Sequence, residues 1–193
     1  MEIFLSQLSA LIAFFAFPAI RYFFLKRNAR KEGLPELWYL PKYGFRLVIR
    51  NLPRKRCLSD IQYKAYLREI KASSSGSSVA TFNDKRLVEQ RDFFLFPCTD
   101  HILISFKIEK DNFGKYFIIV TDKVGNEVDR ESFDKFSILV ADYTAILENW
   151  FNFDIKLAKR VELSANSLQQ IFESVQKNNQ EQHFLVERVR NVG

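Results

Sequence analysis

From Ile3 to Ile20 the chain runs 18 residues without a charge. As an α-helix that run spans about 27 Å, and about 34 Å if continued to Leu25, against a bilayer core of about 30 Å. Ten of its residues are strongly apolar: Ile3, Phe4, Leu5, Leu8, Leu11, Ile12, Phe14, Phe15, Phe17 and Ile20. Each favours insertion by roughly 0.3–0.6 kcal/mol, and Ser6, Gln7, Ser9 and Pro18 offset part of that sum. Arg21 lies at one end, where its stem can snorkel toward headgroups. A signal peptide fits less well, because only Glu2 precedes the run and no small-x-small cleavage site follows. A core helix also fits less well, because the run is apolar on every side instead of striped. Residues 1–26 therefore read as a single transmembrane anchor. Within it Gln7, Ser6, Ala10 and Ala13 are available for helix–helix contact, and Pro18 for a kink.

Charge gives that anchor a direction. Residues 21–56 hold eleven basic residues against Glu32 and Glu36, a local balance of +9 in a chain of +6. By the positive-inside rule the C-terminal side faces the cytoplasm, and the N-terminus faces out. The membrane is then an inner membrane in a bacterium, or one facing the matrix in a mitochondrion. Arg21, Lys26, Arg27, Arg30 and Lys31 are placed for lipid headgroups. Arg46, Arg50, Arg54, Lys55 and Arg56 form a second basic patch for lipid or an acidic protein partner. Nucleic acid ranks below both, because the patch follows the expected span so closely. Trp38, Tyr39 and Tyr43 in the connector EGLPELWYLPKY are residues of the membrane–water interface.

The remaining chain divides into a connector with a first strand, 27–56, and a compact domain, 57–193, whose sheet also takes in 44–52. The segment GFRLVIRNL alternates as a strand does. Ser59-Asp60-Ile61-Gln62 is a capping-box pattern, and Tyr63, Tyr66, Leu67 and Ile70 follow at helical spacing, predicting a helix over 59–72. SSSGSS at 73–78 reads as a loop. Apolar runs at 91–97, 101–110 and 115–122 predict an antiparallel meander, with an edge strand from Glu127 to Arg130. Its turns are Asp111-Asn112-Phe113-Gly114 and Asp122-Lys123-Val124-Gly125-Asn126. Phe133, Phe136, Val140, Tyr143, Leu147 and Trp150 step by three and four, predicting a long amphipathic helix capped by Ser132. A strand over 155–163, a helix starting at Ser167 and a last strand over 183–190 complete the pattern. The fold class is α+β: an antiparallel sheet with two or three covering helices behind one anchor.

Catalytic signatures do not emerge. No GxSxG, Walker loop, GxGxxG or HExxH occurs. His101 and His183 each lack a neighbouring motif that would make them an acid or base. Cys57 and Cys98 make neither a disulfide framework nor a zinc motif. The sequence implies no cofactor and no metal site. It reads as a non-enzymatic, membrane-anchored interaction or assembly subunit, partnered by lipids and by other membrane subunits or further copies of itself. The alternatives are a ligand-sensing effector of defence or toxin type that oligomerises through its span, and a tethered enzyme using His101 or His183.

Overall fold

The computed structural model describes Phe17, Ile20, Phe23, Phe24 and residues 34–49, 57–71, 81–95, 100–148, 155–184, 186 and 189–191. Strands dominate it. They are β1 (Pro35–Leu40), β2 (Gly44–Ile49), β3 (Cys57–Lys71), β4 (Thr81–Leu95), β5 (His101–Lys110) and β6 (Tyr116–Thr121). β7 (Glu127–Phe133), β8 (Ser137–Glu148) and β9 (Ile155–Ser164) lead into helix α1 (Ala165–Asn178), followed by β10 (Gln182–Phe184) and β11 (Val189–Asn191). One sheet has the order β10-β1-β2-β5-β6-β7 and the other β11-β9-β8-β3-β4, with antiparallel pairing throughout. Leu37, Phe45, Phe106 and Ile118 of the first sheet share one core with Ile61, Leu67, Leu139 and Leu163 of the second. Among residues 34–191 as described, the architecture is two packed sheets with one helix, not the α+β arrangement with several helices that the sequence patterns predict.

Two expected helices are strands. In β3 the inward residues are Ile61, Tyr63, Ala65 and Leu67, while Lys64 and Arg68 point outward. Tyr63 and Leu67 satisfy both a period of four and a period of two, so the helical spacing was ambiguous from the start. The apparent capping box is a bulge: Asp60 takes φ +45° where the β3–β8 register shifts, and its carboxylate accepts from Gln62 at 3.0 Å. In the second case Ser132 and Phe133 end β7. Asp134 then caps a turn, accepting from the Phe136 amide at 2.9 Å and the Ser137 hydroxyl at 3.0 Å. β8 buries Leu139, Ala141, Tyr143, Ala145 and Leu147 on alternate positions. β-branched and aromatic residues suit that half-buried pleat better than a helix.

Other expectations hold in part. The meander β5-β6-β7 forms, with β7 at the edge of its sheet, but the expected first member, 91–97, is not in it: residues 91–95 belong to β4 in the other sheet, and β5 pairs instead with β2. Its two D-x-x-G turns use one mechanism. The Asp111 carboxylate accepts from the amides of Phe113 and Lys115, and that of Asp122 accepts from Val124, Gly125 and Asn126. Helix α1 begins two residues earlier than predicted, at Ala165, because the Ser164 hydroxyl accepts from the Ser167 amide at 3.2 Å. Its C-cap, Asn179, is left-handed at φ +40° and donates its amide to the Val175 carbonyl at 2.7 Å. The last strand is divided instead of continuous, with β10 joining β1 and β11 joining β9.

The anchor expected over 1–26 lies outside the described residues, apart from the helical, exposed Phe17, Ile20, Phe23 and Phe24. Among the described residues no helix is long and apolar enough to cross a membrane. The single-pass membrane localisation and its topology are therefore corrected. An apolar run specifies what must leave water, not what covers it. A span needs one helix of about 20 residues, and none is described.

Candidate ligand-binding groove

Helix α1 crosses one end of the two-sheet body, burying Ala165, Leu168 and Val175 in the common core. Between it and the ends of β1, β2 and β5 lies a groove of about 410 Å³. Its walls are Tyr39, Phe45 and Ile108 from the sheet and Phe172 and Val175 from the helix. The rings of Tyr39 and Phe45 stand 5.1 Å apart, and Phe45 stacks on Phe106 at 5.4 Å. Phe172 meets Tyr116 edge-on at 6.2 Å, which fixes the helix-side wall. The Tyr39 hydroxyl donates to the Asn179 side-chain oxygen at 3.2 Å, tying the helix C-terminus to β1. The left-handed cap thus both ends the helix and places an amide at the groove.

Gly44 gives the groove its shape. At φ +83° it occupies a region that L side chains avoid. A β-carbon there would lie 2.7 Å from the Phe106 carbonyl and 2.8 Å from the Lys107 side chain. Its absence lets Lys107 lean across to the rim. Two charges line this rim. Glu109 is held by Arg130 at 2.6 Å, and Arg130 lies 5.0 Å from the ring centre of Phe117. Lys107 has no ion-pair partner among the described residues. The groove therefore joins an aromatic floor to one uncompensated ammonium, with the side-chain amides of Gln176 and Asn179 alongside.

A second polar feature runs from the sheet edge into the core. On the inner face of the second sheet, Gln90, Tyr63, Tyr143 and Lys159 stand opposite one another across β4, β3, β8 and β9. The Tyr63 hydroxyl donates to the Gln90 side-chain oxygen, and the ring of His101 approaches Tyr63 edge-on at 5.6 Å. Tyr143 and Lys159 are 1% and 2% exposed. Burial pushes the Tyr143 phenol far above the ordinary range, so it stays protonated. Tyr143 and Lys159 form the buried end of this rung, whereas its Gln90 end is exposed at the sheet edge, where Tyr63, Gln90 and Tyr143 line a shallow cleft.

The expected site residues do not converge. Trp38 and Tyr39 point to opposite faces of β1, as adjacent strand residues must. Trp38 packs against His183 with tilted rings 4.9 Å apart and donates to Glu36 at 2.9 Å, while Tyr39 lines the groove. Tyr43 lies in the β1–β2 turn under the Arg46 guanidinium, 4.3 Å from its ring centre. Arg46 also donates to the Lys123 carbonyl at 3.4 Å, so it is engaged within the fold. Arg50, Arg54, Lys55 and Arg56 lie outside the described residues, as do Arg21, Lys26, Arg27, Arg30, Lys31, Gln7, Ser6, Ala10 and Ala13. His101 faces the core and His183 the outer side of the same sheet, so they do not form one centre. Among the described residues no group of three His, Cys, Asp or Glu residues is placed to hold a metal ion. Lys107, Phe172, Gln176 and Asn179 escaped the sequence reading. Only Phe172 carried a signal, as part of the helix stripe, and nothing in the sequence linked it to a lysine 65 positions earlier.

The chain matches no family model, no curated protein and no solved structure.

Proposed function

We propose that the chain is a binding component and that the groove under α1 takes a small planar anion. The observation that carries this is Lys107, an ammonium with no ion-pair partner among the described residues, at the rim of a cleft walled by Tyr39, Phe45 and Phe172. Aromatic faces favour a flat apolar ligand body, and the ammonium favours a carboxylate or phosphate on it. Catalysis is the weaker reading of this groove. Its carboxylate, Glu109, is committed to Arg130, and its phenol, Tyr39, to Asn179. An interaction or assembly role remains compatible, with the ligand acting as the signal.

The test is an NMR titration of the whole chain with 2-naphthoate. Saturable shifts should concentrate on Tyr39, Phe45, Lys107 and Phe172. Lys107→Met and Phe172→Ala should each weaken the dissociation constant about tenfold, equivalent to about 1.4 kcal/mol. Shifts scattered over the surface, or equal affinity in both folded variants, would discard this reading.

A further inference from the structure

We propose that the chain self-associates about a two-fold axis through β4, whose charge order is complementary to itself. β4 is 15 residues long and ends its sheet among the described residues. Such an edge offers a row of backbone donors and acceptors to another strand. An isologous partner requires each residue to match its symmetry mate. With the axis between Leu87 and Val88, an antiparallel second copy sets Arg86 opposite Glu89, Asp84 opposite Arg91 and Lys85 opposite Gln90. Each pairing occurs twice. A shift by two residues, which keeps the same faces together, would instead set Arg86 against Arg91 or Asp84 against Glu89.

The facing of these residues supports the same axis. In a regular strand, residues 86 and 89 would point to opposite sides. Here the β3–β4 register steps from Ala65↔Val88 to Tyr66↔Arg86, leaving Leu87 as an extra residue. That bulge turns Arg86 and Glu89 to one face, where they form an ion pair within the chain. It turns Lys85 and Gln90 to the other face, where Lys85 reaches Glu131 at 2.8 Å and Gln90 accepts from Tyr63. Leu87 is buried and Val88 packs on the core, so the axis crosses the apolar middle of the strand. A bulge normally protects an edge against a regular strand. Two copies related by this axis present bulge to bulge, so the same feature that repels other strands admits its own copy. The interface shares no residue with the groove and does not depend on ligand binding there.

Sedimentation velocity on the full chain tests the proposal. The wild type should show a species of twice 22.8 kDa. Arg86→Glu and Glu89→Arg should each weaken dimerisation at least tenfold, because each sets like charges opposite across the axis twice. The double variant R86E/E89R should restore the dimer. Restoring only an ion pair inside one chain would not change the mass. Amide hydrogen exchange of the wild type gives a readout that needs no variant: protection of β4 should rise with protein concentration. A wild-type monomer, a dimer indifferent to both single reversals, a double variant that stays monomeric, or concentration-independent exchange in β4 would each overturn the proposal.

Discussion

The inner faces of the two sheets do different work. On the first sheet Leu37, Phe45, Leu47, Ile104, Phe106, Ile118 and Val120 make the middle of the face wholly apolar. On the second, the rung Gln90–Tyr63–Tyr143–Lys159 crosses four strands between apolar neighbours. Apolar alternation fixes which side of a strand is buried, but it tolerates a slip of two residues, which keeps the same face inward. The polar rung does not tolerate that slip. Moving β8 by two places against β3 would set Tyr143 opposite Ala65 or Ile61 and part it from Tyr63. A buried lysine is costly to desolvate, and here it stands at the position that distinguishes one register from the next. The first face supplies burial; the second adds register.

Phe106→Ala should have the largest effect. Phe106 is fully buried and stacks on Phe45, so its loss removes transfer energy and leaves a cavity. The expected destabilisation is about 3–5 kcal/mol, read from urea denaturation with an unchanged m-value. A loss below about 2 kcal/mol would mean that the apolar face can collapse around the gap and is not close-packed.

Tyr143→Phe tests the rung with a smaller change. Removing one buried hydroxyl should cost about 1–2 kcal/mol at neutral pH. Its signature is alkaline. Burial raises the folded-state pKa of Tyr143 far above the ordinary phenol value near 10. Below that value both states hold the proton and the stabilising contribution is complete. Above it the unfolded chain ionises first, and stability falls by up to about 1.4 kcal/mol per pH unit. Tyr143→Phe should remove that slope. Tyr66, raised by burial and then by the neighbouring Asp142 charge, works in the same sense and remains in the variant. Equal alkaline slopes in wild type and variant would show that Tyr143 reaches solvent before unfolding.

Legibility in the sequence follows the same division. The meander was readable because Asp111 and Asp122 head self-contained turns, each with a glycine at positive φ. Local chemistry was enough there. β3 and β8 were misread because each finds its partners far along the chain: Tyr63 opposes Gln90 and Tyr143, and Tyr143 opposes Lys159. Tertiary pairing overrode spacings that also fitted a helix. Nothing within IKLAKRVEL marks Lys159 as buried, since a strand lysine ordinarily faces water. The groove was invisible for a related reason. It needs Gly44, Lys107 and Phe172 together, and only the crossing of α1 over the sheet ends brings them there.

The smallest effect should come from the residue next to Tyr143. Asp142 points to the outer face and accepts two bonds from Arg160, at 2.6 and 3.0 Å, with Lys64 at 3.9 Å. Its side chain is 18% exposed and that of Arg160 31%. Such a partly wet pair is worth little beyond a surface bridge, so Asp142→Asn should cost about 0.5–1 kcal/mol. Salt separates the two neighbours more sharply than magnitude does. Raising ionic strength from about 0.05 M to about 1 M shortens the Debye length several-fold and should erase much of the Asp142 effect. The Tyr143→Phe loss at neutral pH should not change, because a neutral hydroxyl enclosed by two sheets has no ionic atmosphere to respond to. If salt moved both variants alike, the Tyr143 hydroxyl would be in contact with solvent. The contrast between the buried Tyr143 and an open charged face, one residue apart on β8, would then fail.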